Sequence, residues 1–324
     1  MMKKVKAGII GAAGYTGGEL IRLLLRHPQA TIVFAQSESH AGKPLWSAHR
    51  DLLGETDMTF SPDAPVKDAD VVFLCGGHGK SRETLAGFPP EYKGAVIDLG
   101  NDFRLEADAG DFVYGLTDAF ADQIRQASHI ANPGCFATCI LLSLLPLASA
   151  GKLSEVHVTA ITGSTGAGQK LQESTHFSWR AGNISIYKAF THQHLGEIRE
   201  TLLKLDPSWN GEINFVPLRG DFTRGILASV YLDCPLDEEE AVQLYSDYYS
   251  SSPFVNVTVE NPDLKMVTGT NRAVVQVRKH GSKIHVVSVI DNLLKGASGQ
   301  AVENMNLIFG LPQDEGLRLK ATAF

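Results

Sequence analysis

The stretch Asn132-Pro133-Gly134-Cys135-Phe136-Ala137-Thr138-Cys139 holds the residue best placed to do chemistry. Asn132, Pro133 and Gly134 break the chain, and Ile140, Leu141, Leu144 and Leu145 follow at helical spacing, so Cys135 falls in the first turn of a helix. Unpaired N–H groups and the positive end of the helix dipole stabilise a thiolate there, which makes Cys135 a candidate nucleophile at neutral pH. Cys139, one turn deeper among leucines, reads as a buried structural thiol, and Cys75 and Cys234 read as small apolar residues of strands or strand ends. A second candidate is the segment from Tyr187 to Ile198, where His192 and His194 precede an expected helix over residues 195–205. A thiolate beside a nicotinamide can turn an acyl phosphate into a thioester and then an aldehyde. That route needs a group near neutrality to handle the proton of the thiohemiacetal oxygen, a role suited to histidine. Taken alone, the pair also fits a solvated loop or half of a metal site that lacks its other ligands.

The nicotinamide is suggested by Gly11-Ala-Ala-Gly14-Tyr15-Thr16-Gly17-Gly18, between an apolar run at residues 5–10 and a helical pattern at residues 15–26. Such a turn must reverse sharply, let a pyrophosphate approach without Cβ atoms in the way, and aim the first N–H groups of a helix at it. Gly11, Gly14 and Gly17, with Tyr15 and Thr16 between them, meet that demand, although a glycine-rich turn can exist without a ligand. The second apolar run ends near Ala35, where an acidic residue would favour an unphosphorylated ribose. The residues there are Gln36-Ser37-Glu38-Ser39, with Lys43 close behind. The hydroxyls of Ser37 and Ser39 favour NADP(H), while Glu38 keeps NAD open. His78, in a glycine-rich segment after a later strand, is either a crevice residue or a plain loop histidine.

These groups must be positioned by a larger frame. Further apolar runs at residues 70–75 and 95–99 lack strict alternation, as parallel strands covered on both faces do. Beyond Gly151 the runs at 226–232, 255–260, 273–278 and 284–290 partly alternate and are separated by turns. The expectation is an α/β protein: a Rossmann-type doubly wound parallel sheet, with a second α+β domain built on a mixed sheet. The helical pattern at 299–309 can dock back on the first domain, giving 1–134 plus 300–324 for the NADP-binding domain and 135–299 for the catalytic one. A length of 324 residues suits two domains. The net charge of −7 argues against a broad nucleic-acid or anionic-membrane surface. No apolar run reaches the ~20 residues of a membrane span, and the early glycines favour a buried strand over a signal peptide. Four cysteines without CxxC spacing give neither a disulfide framework nor a metal knuckle, so the expected setting is cytoplasmic and metal-free.

At these residues the chain resembles the N-acetyl-γ-glutamyl-phosphate reductases of arginine biosynthesis. The likeness runs through GAAGYTGGEL, DLGNDFR (Asp98 to Arg104), VYGL (Val113 to Leu116), NPGCFAT, TGSTGAGQ (Thr162 to Gln169), HQHLGEI (His192 to Ile198), TRGIL (Thr223 to Leu227) and DNLLKGASGQAVENMN (Asp291 to Asn306). The resemblance implies Cys135 as nucleophile, the His192/His194 segment as acid–base element, and NADP(H) on the first domain. It also implies Gly299 and Gln300 at the nicotinamide end, and Arg104, Arg219, Arg224 and Lys295 as cations for phosphate or substrate carboxylates. Each of those cations can instead serve a salt bridge, and Arg180 lies where the likeness is least informative. The implied reaction is NADPH-dependent reductive dephosphorylation of an N-acyl-γ-glutamyl phosphate, releasing phosphate, in a homodimer or homotetramer. N-acetyl is the first reading of the acyl group. N-succinyl, aspartyl and aminoadipyl phosphates are the alternatives, and a nucleotide-sensing protein without catalysis is the non-enzymatic one. Gly100-Asn101, Thr117-Asp118 and Phe136-Ala137 depart from the family pattern, and the changes at Asn101 and Thr117 leave the acyl group open.

Overall fold

The computed structural model describes residues 3–77 and 79–322, which form two compact units. His78 lies outside the described residues. One unit runs up to Pro133 and takes in Ala297–Arg318; the other is Gly134–Gly296 with the residues from Leu319 onward.

The first unit contains β1 (Val5–Ile10), α1 (Tyr15–Leu24), β2 (Ala30–Gln36), β3 (Val71–Leu74), α2 (Ser81–Ala86), β4 (Ala95–Asp98), α3 (Glu106–Ala109), β5 (Val113–Tyr114), α4 (Thr117–Gln126) and β6 (His129–Ala131). The strands form one sheet in the order β2-β1-β3-β4-β6-β5, every pairing parallel. Every residue of β3 and β4 is buried, which explains their unbroken apolar sequences. The chain leaves β1 in one direction to β2 and returns on its other side as β3. The strand order therefore reverses between β1 and β3, the switch point at which open parallel sheets bind ligands beyond the carboxyl ends of the strands. The helix Gly299–Ile308 packs on α4, α1 and β4 of this same unit.

The second unit contains α5 (Cys135–Ser149), β7 (Val156–Thr162), α6 (Phe177–Arg180), β8 (Ser185–Ile186), α7 (His194–Leu205), β9 (Ile213–Arg219), β10 (Ile226–Asp233), α8 (Glu238–Tyr248), β11 (Val255–Thr258), β12 (Ala273–His280) and β13 (Lys283–Ile290). Its seven-stranded mixed sheet has the order β11-β12-β13-β10-β7-β9-β8. Strand β9 was not evident in the sequence because it contains Pro217. The Pro217 carbonyl accepts from Tyr187 N–H, just past the end of the two-residue strand β8, so the missing proline N–H falls where the ladder has already ended.

Helix α5 packs on β10 and β13 and against α7 and α8, and is buried from Phe136 to Ala148. Pro146 sits inside it and has no N–H to offer the Leu142 carbonyl one turn back. The Tyr249 hydroxyl donates to that carbonyl at 2.6 Å, and the Tyr245 hydroxyl donates to the neighbouring Ser143 carbonyl. Among the described residues no helix is long and apolar enough to cross a membrane.

Candidate active site

In the first unit the turn after β1 is packed to the backbone. Gly11 has φ +77°, and a Cβ there would lie 2.7 to 2.8 Å from the main chain of Cys75 and Gly76 at the end of β3. A Cβ on Gly17 would come within 2.5 Å of the Ala12 carbonyl oxygen. Gly14 precedes the first residue of α1 and no side chain caps the helix, so its first N–H groups face outward beside the half-exposed Tyr15. Glycine stands where backbones touch, and the helix end is uncapped and positive, the geometry that suits an anion. At the end of β2 the Gln36 side chain accepts from Gly11 N–H at 3.4 Å. Behind it the Ser37 and Ser39 hydroxyls stand 3.4 Å apart, the first buried and the second exposed. Gly299 and Gln300 are fully buried at the start of their helix. The preceding Ser298 donates to the Thr16 carbonyl at 2.9 Å, which ties the KGASGQA segment to the first turn of α1. Cys75, in the crevice, is held as a thiol: burial pushes its pKa up to about 12.

Arg104 is buried in this unit, with Nε donating to the Asn132 carbonyl at 2.9 Å and a terminal nitrogen to the Leu99 carbonyl at 3.3 Å. Asn132 is pinned from other sides too, by Asn304 at 3.0 Å and by its own amide on the Ala297 carbonyl at 3.1 Å. Arg104 therefore fixes the strand ends that lead toward Cys135. Thr117 faces inward, donating to Glu303 at 3.0 Å, whereas Asn101 is exposed.

In the second unit Cys135 is the first residue of α5, whose N-cap Gly134 contributes no side chain. The Gly134 N–H donates to Glu197 Oε2 at 3.0 Å. A Cβ on Gly134 would fall 2.4 Å from His194 Nε2 and 2.6 Å from Glu197 Oε1, so the imidazole and carboxylate lie directly against the residue before Cys135. His194 Nε2 is 3.8 Å from Glu197 Oε1, both side chains being buried. The two begin α7 and are three residues apart on one helical face.

His192 has a different environment. Its ring stands 4.6 Å from that of His194, with Phe136, Tyr187 and Phe215 between 5.4 and 5.7 Å away. Burial first, and then the charges of Lys188 and Arg219, lower its pKa to about 4. Its Nδ1 accepts from His194 N–H at 3.2 Å, so the neutral ring carries its proton on Nε2. Arg219 ends β9 and lies 4.7 Å from the Tyr187 ring centre, and its Nε is buried without a hydrogen-bond partner. The Tyr187 hydroxyl is raised to about 12, by burial above all and also by Cys135, with Arg219 acting the other way. Cys135, Tyr187, His192 and Arg219 thus form one electrostatic neighbourhood.

The other expected cations are differently employed. Arg224 forms a two-pronged pair with Asp291, at 3.0 and 3.1 Å. Asp291 is fully buried and also accepts from the Gly269 and Leu293 N–H groups. Lys295 is fully buried with its ammonium 5.6 Å from the Phe254 ring centre. Cys139 touches Ser288 Oγ at 3.1 Å, and burial pushes its thiol up to about 12, so it is structural.

The chain has close relatives among known proteins. It is 51% identical over 321 residues to the N-acetyl-γ-glutamyl-phosphate reductase of Parabacteroides distasonis, covering 99% of this chain and 100% of that protein. The chain belongs to the N-acetyl-γ-glutamyl-phosphate reductase family. Family members named alike from Azobacteroides pseudotrichonymphae and Flavobacterium johnsoniae are 52% and 50% identical, again over 99% of this chain and 100% of theirs. The model of the semialdehyde dehydrogenase NAD binding domain matches residues 6–127, and that of the semialdehyde dehydrogenase dimerisation domain matches 135–292. The fold is that of aspartate semialdehyde dehydrogenase II from Vibrio cholerae, with TM-score 0.73, 20% identity, and coverage of 95% of this chain and 99% of that one. The aspartate semialdehyde dehydrogenase of Candida albicans, solved with NADP, superposes with TM-score 0.68 at 16% identity, with the same coverage. The reductase-family motif HQHLGEI contains Glu197 three residues after His194, the spacing of neighbours on one helical face. Ser298 lies likewise inside KGASGQA. Nothing in the sequence pattern marked the contacts of Tyr187 with Arg219.

Proposed function

We propose that this enzyme carries out the NADPH-dependent reductive dephosphorylation of an N-acyl-γ-glutamyl phosphate, N-acetyl in the names of its relatives, to the N-acylglutamate 5-semialdehyde. The observation that carries the reading is Cys135 at the uncapped start of α5, with the buried His194–Glu197 pair against the preceding glycine. The helix N-terminus favours the Cys135 thiolate. Its sulfur attacks the acyl carbon, a C–S bond forms, and phosphate departs with the electron pair of the broken C–O bond. When bound at the glycine turn, NADPH supplies the hydride that reduces the thioester carbon. The resulting thiohemiacetal oxygen gains a proton, later loses it as the C–S bond breaks, and the aldehyde leaves with the thiolate restored.

His194 is the group we assign to that proton, because Glu197 stabilises its imidazolium. His192 has cations as neighbours and stays neutral, so it serves as a hydrogen-bond donor through Nε2. Arg219, whose Nε has no protein partner, suits the substrate α-carboxylate. Gln36 at the end of β2 and the Ser37/Ser39 hydroxyls support NADP over NAD. Gly11, Gly14, Tyr15, Thr16 and Gly17 would hold the pyrophosphate, and Gly299 and Gln300 back the helix that carries it. The match of residues 135–292 to a dimerisation domain supports a homo-oligomer built through the second unit. A reducing cytoplasm, where the four unbonded cysteines stay thiols, is the compartment we assign.

Running the reaction backward tests this. Purified enzyme should reduce NADP with an N-acylglutamate semialdehyde only when inorganic phosphate is present; phosphate-independent turnover, or none, would remove the acyl-phosphate reading.

A further inference from the structure

The substrate proposed above needs a cation for its α-carboxylate, and among the described residues of the second unit two arginines, Arg219 and Arg180, have a buried Nε without a hydrogen-bond partner. Arg180, at the end of α6, is only 6% exposed. Its terminal nitrogens reach the Ser185 hydroxyl at 3.3 Å and the Asn183 carbonyl at 2.9 Å, all neutral acceptors, and its Nε is buried without a hydrogen-bond partner. The nearby carboxylate of Asp221 is committed elsewhere, accepting from Gly182 N–H at 2.6 Å. A cation taken this far out of water without a counter-charge is costly, and such sites are normally completed by an anion.

The sheet register says where that anion would lie. Ser185 on β8 is directly opposite Arg219 on β9, so their side chains leave the sheet on the same face. Tyr187, two residues beyond Ser185, projects to that face as well and carries the Arg219 guanidinium on its ring. From the nucleophile outward the order is Cys135, then Tyr187 with His192, then Arg219, then Ser185, then Arg180. A γ-glutamyl phosphate bound through Cys135 and Arg219 would extend its N-acyl substituent onward from the α-carbon. In the first unit, by contrast, Thr117 is buried on Glu303 and Asn101 is an exposed loop residue, so neither is bound into a polar pocket.

Resting on the reaction proposed above, we infer that Arg180 determines acyl-group specificity and that the preferred N-acyl substituent ends in a carboxylate, as a succinyl group does. Arg180 and Ser185 together receive that carboxylate, and the acetyl substrate leaves the guanidinium with neutral partners only.

The test compares kcat/KM for N-succinyl- and N-acetylglutamate semialdehyde, with NADP and phosphate, in the wild type, Arg180→Gln and Arg180→Lys. The wild type should favour the succinyl substrate by at least about tenfold, and the succinyl-to-acetyl ratio should fall by about 10- to 100-fold in Arg180→Gln, as for loss of a hydrogen bond between charged groups. Arg180→Lys should recover part of that ratio, because it restores the charge without the fork. A wild type that uses the acetyl substrate equally well or better overturns the inference and leaves the proposed reaction standing. Equal losses on both substrates in Arg180→Gln overturn it too, making Arg180 a brace of the α6–β8 turn. Turnover of neither substrate by the wild type is the failure of the reaction itself. The wild-type comparison decides the matter even if a variant does not fold.

Discussion

Replacing Glu197 by Gln removes the carboxylate charge beside the proposed proton carrier. The amide oxygen can still accept from Gly134 N–H, now 3.0 Å from Oε2, while the negative charge 3.8 Å from His194 Nε2 is lost. At an effective dielectric constant of about 20, opposite unit charges at 3.8 Å attract by about 4 kcal/mol, which bounds the stabilisation of the imidazolium. Through proton linkage, losing that attraction makes His194 a weaker base. In the oxidative direction the base must be unprotonated, so removing the carboxylate moves the acid limb of the pH–rate profile down. The weaker base lowers the plateau kcat by about 10- to 1000-fold. The assay follows NADPH formation across about pH 5 to 9, with phosphate and substrate saturating, and tracks the limb that disappears in His194→Gln. A cooperative thermal unfolding transition for Glu197→Gln shows that the fold survives. A folded variant whose limb moves by less than about 0.3 pH units, with kcat within about twofold, would show that His194 does not work through Glu197.

Cys135→Ser should abolish turnover while NADPH still binds, as titrated by fluorescence; full activity would remove Cys135 as nucleophile. Gly17→Ala should weaken NADPH binding at least about tenfold and cost about 1 to 3 kcal/mol of stability, because its Cβ would lie 2.5 Å from the Ala12 oxygen. Unaltered affinity and melting temperature would mean that the turn has slack. His192, with a folded pKa of about 4 against about 6.5 when free, takes up a proton in the unfolded chain first. Stability should therefore be independent of this group above about pH 6.5 and fall by up to about 3 kcal/mol as the pH drops to about 4. Denaturant titrations should show that slope flattened in His192→Gln; the same slope in both proteins would assign the acid sensitivity to other groups.

The legible parts of this protein were those written in local sequence. A strand, a glycine turn and a helix announce themselves within about twenty residues, because periodicity and glycine placement are local properties. The helix start at Cys135 was equally plain, since Asn132, Pro133 and Gly134 can hardly continue a helix into it. What could not be read was the division of labour among like residues. Arg104, Arg219 and Arg224 are the same side chain, and only the folded chain puts Asn132 and Leu99 carbonyls on the first, a tyrosine ring under the second and Asp291 against the third. His192 and His194 are two residues apart in one motif, yet one faces cations and the other a carboxylate. The His194–Glu197 pairing needed only helical spacing and was within reach; the unpaired Arg180 was not, because the absence of a counter-charge is a property of the whole neighbourhood.

The tyrosines on helix α5 bear on the order in which the second unit can be assembled. The carbonyls next to Pro146 receive their hydrogens from Tyr245 and Tyr249, partners 102 and 107 residues further along the chain. A ribosome delivers residues in order, so the helix that begins with Cys135 emerges long before the groups that complete it. Throughout the synthesis of β7 to β10 it is an apolar segment whose Leu142 carbonyl, left without an N–H by Pro146, depends on water. Closing that long loop is an entropic step that must precede the reward of its contacts, and it ranks the helix among the late, non-local events of folding. The turn that begins with Cys135 is completed later still, when the Ser288 hydroxyl donates to the Cys139 carbonyl from 149 residues further along.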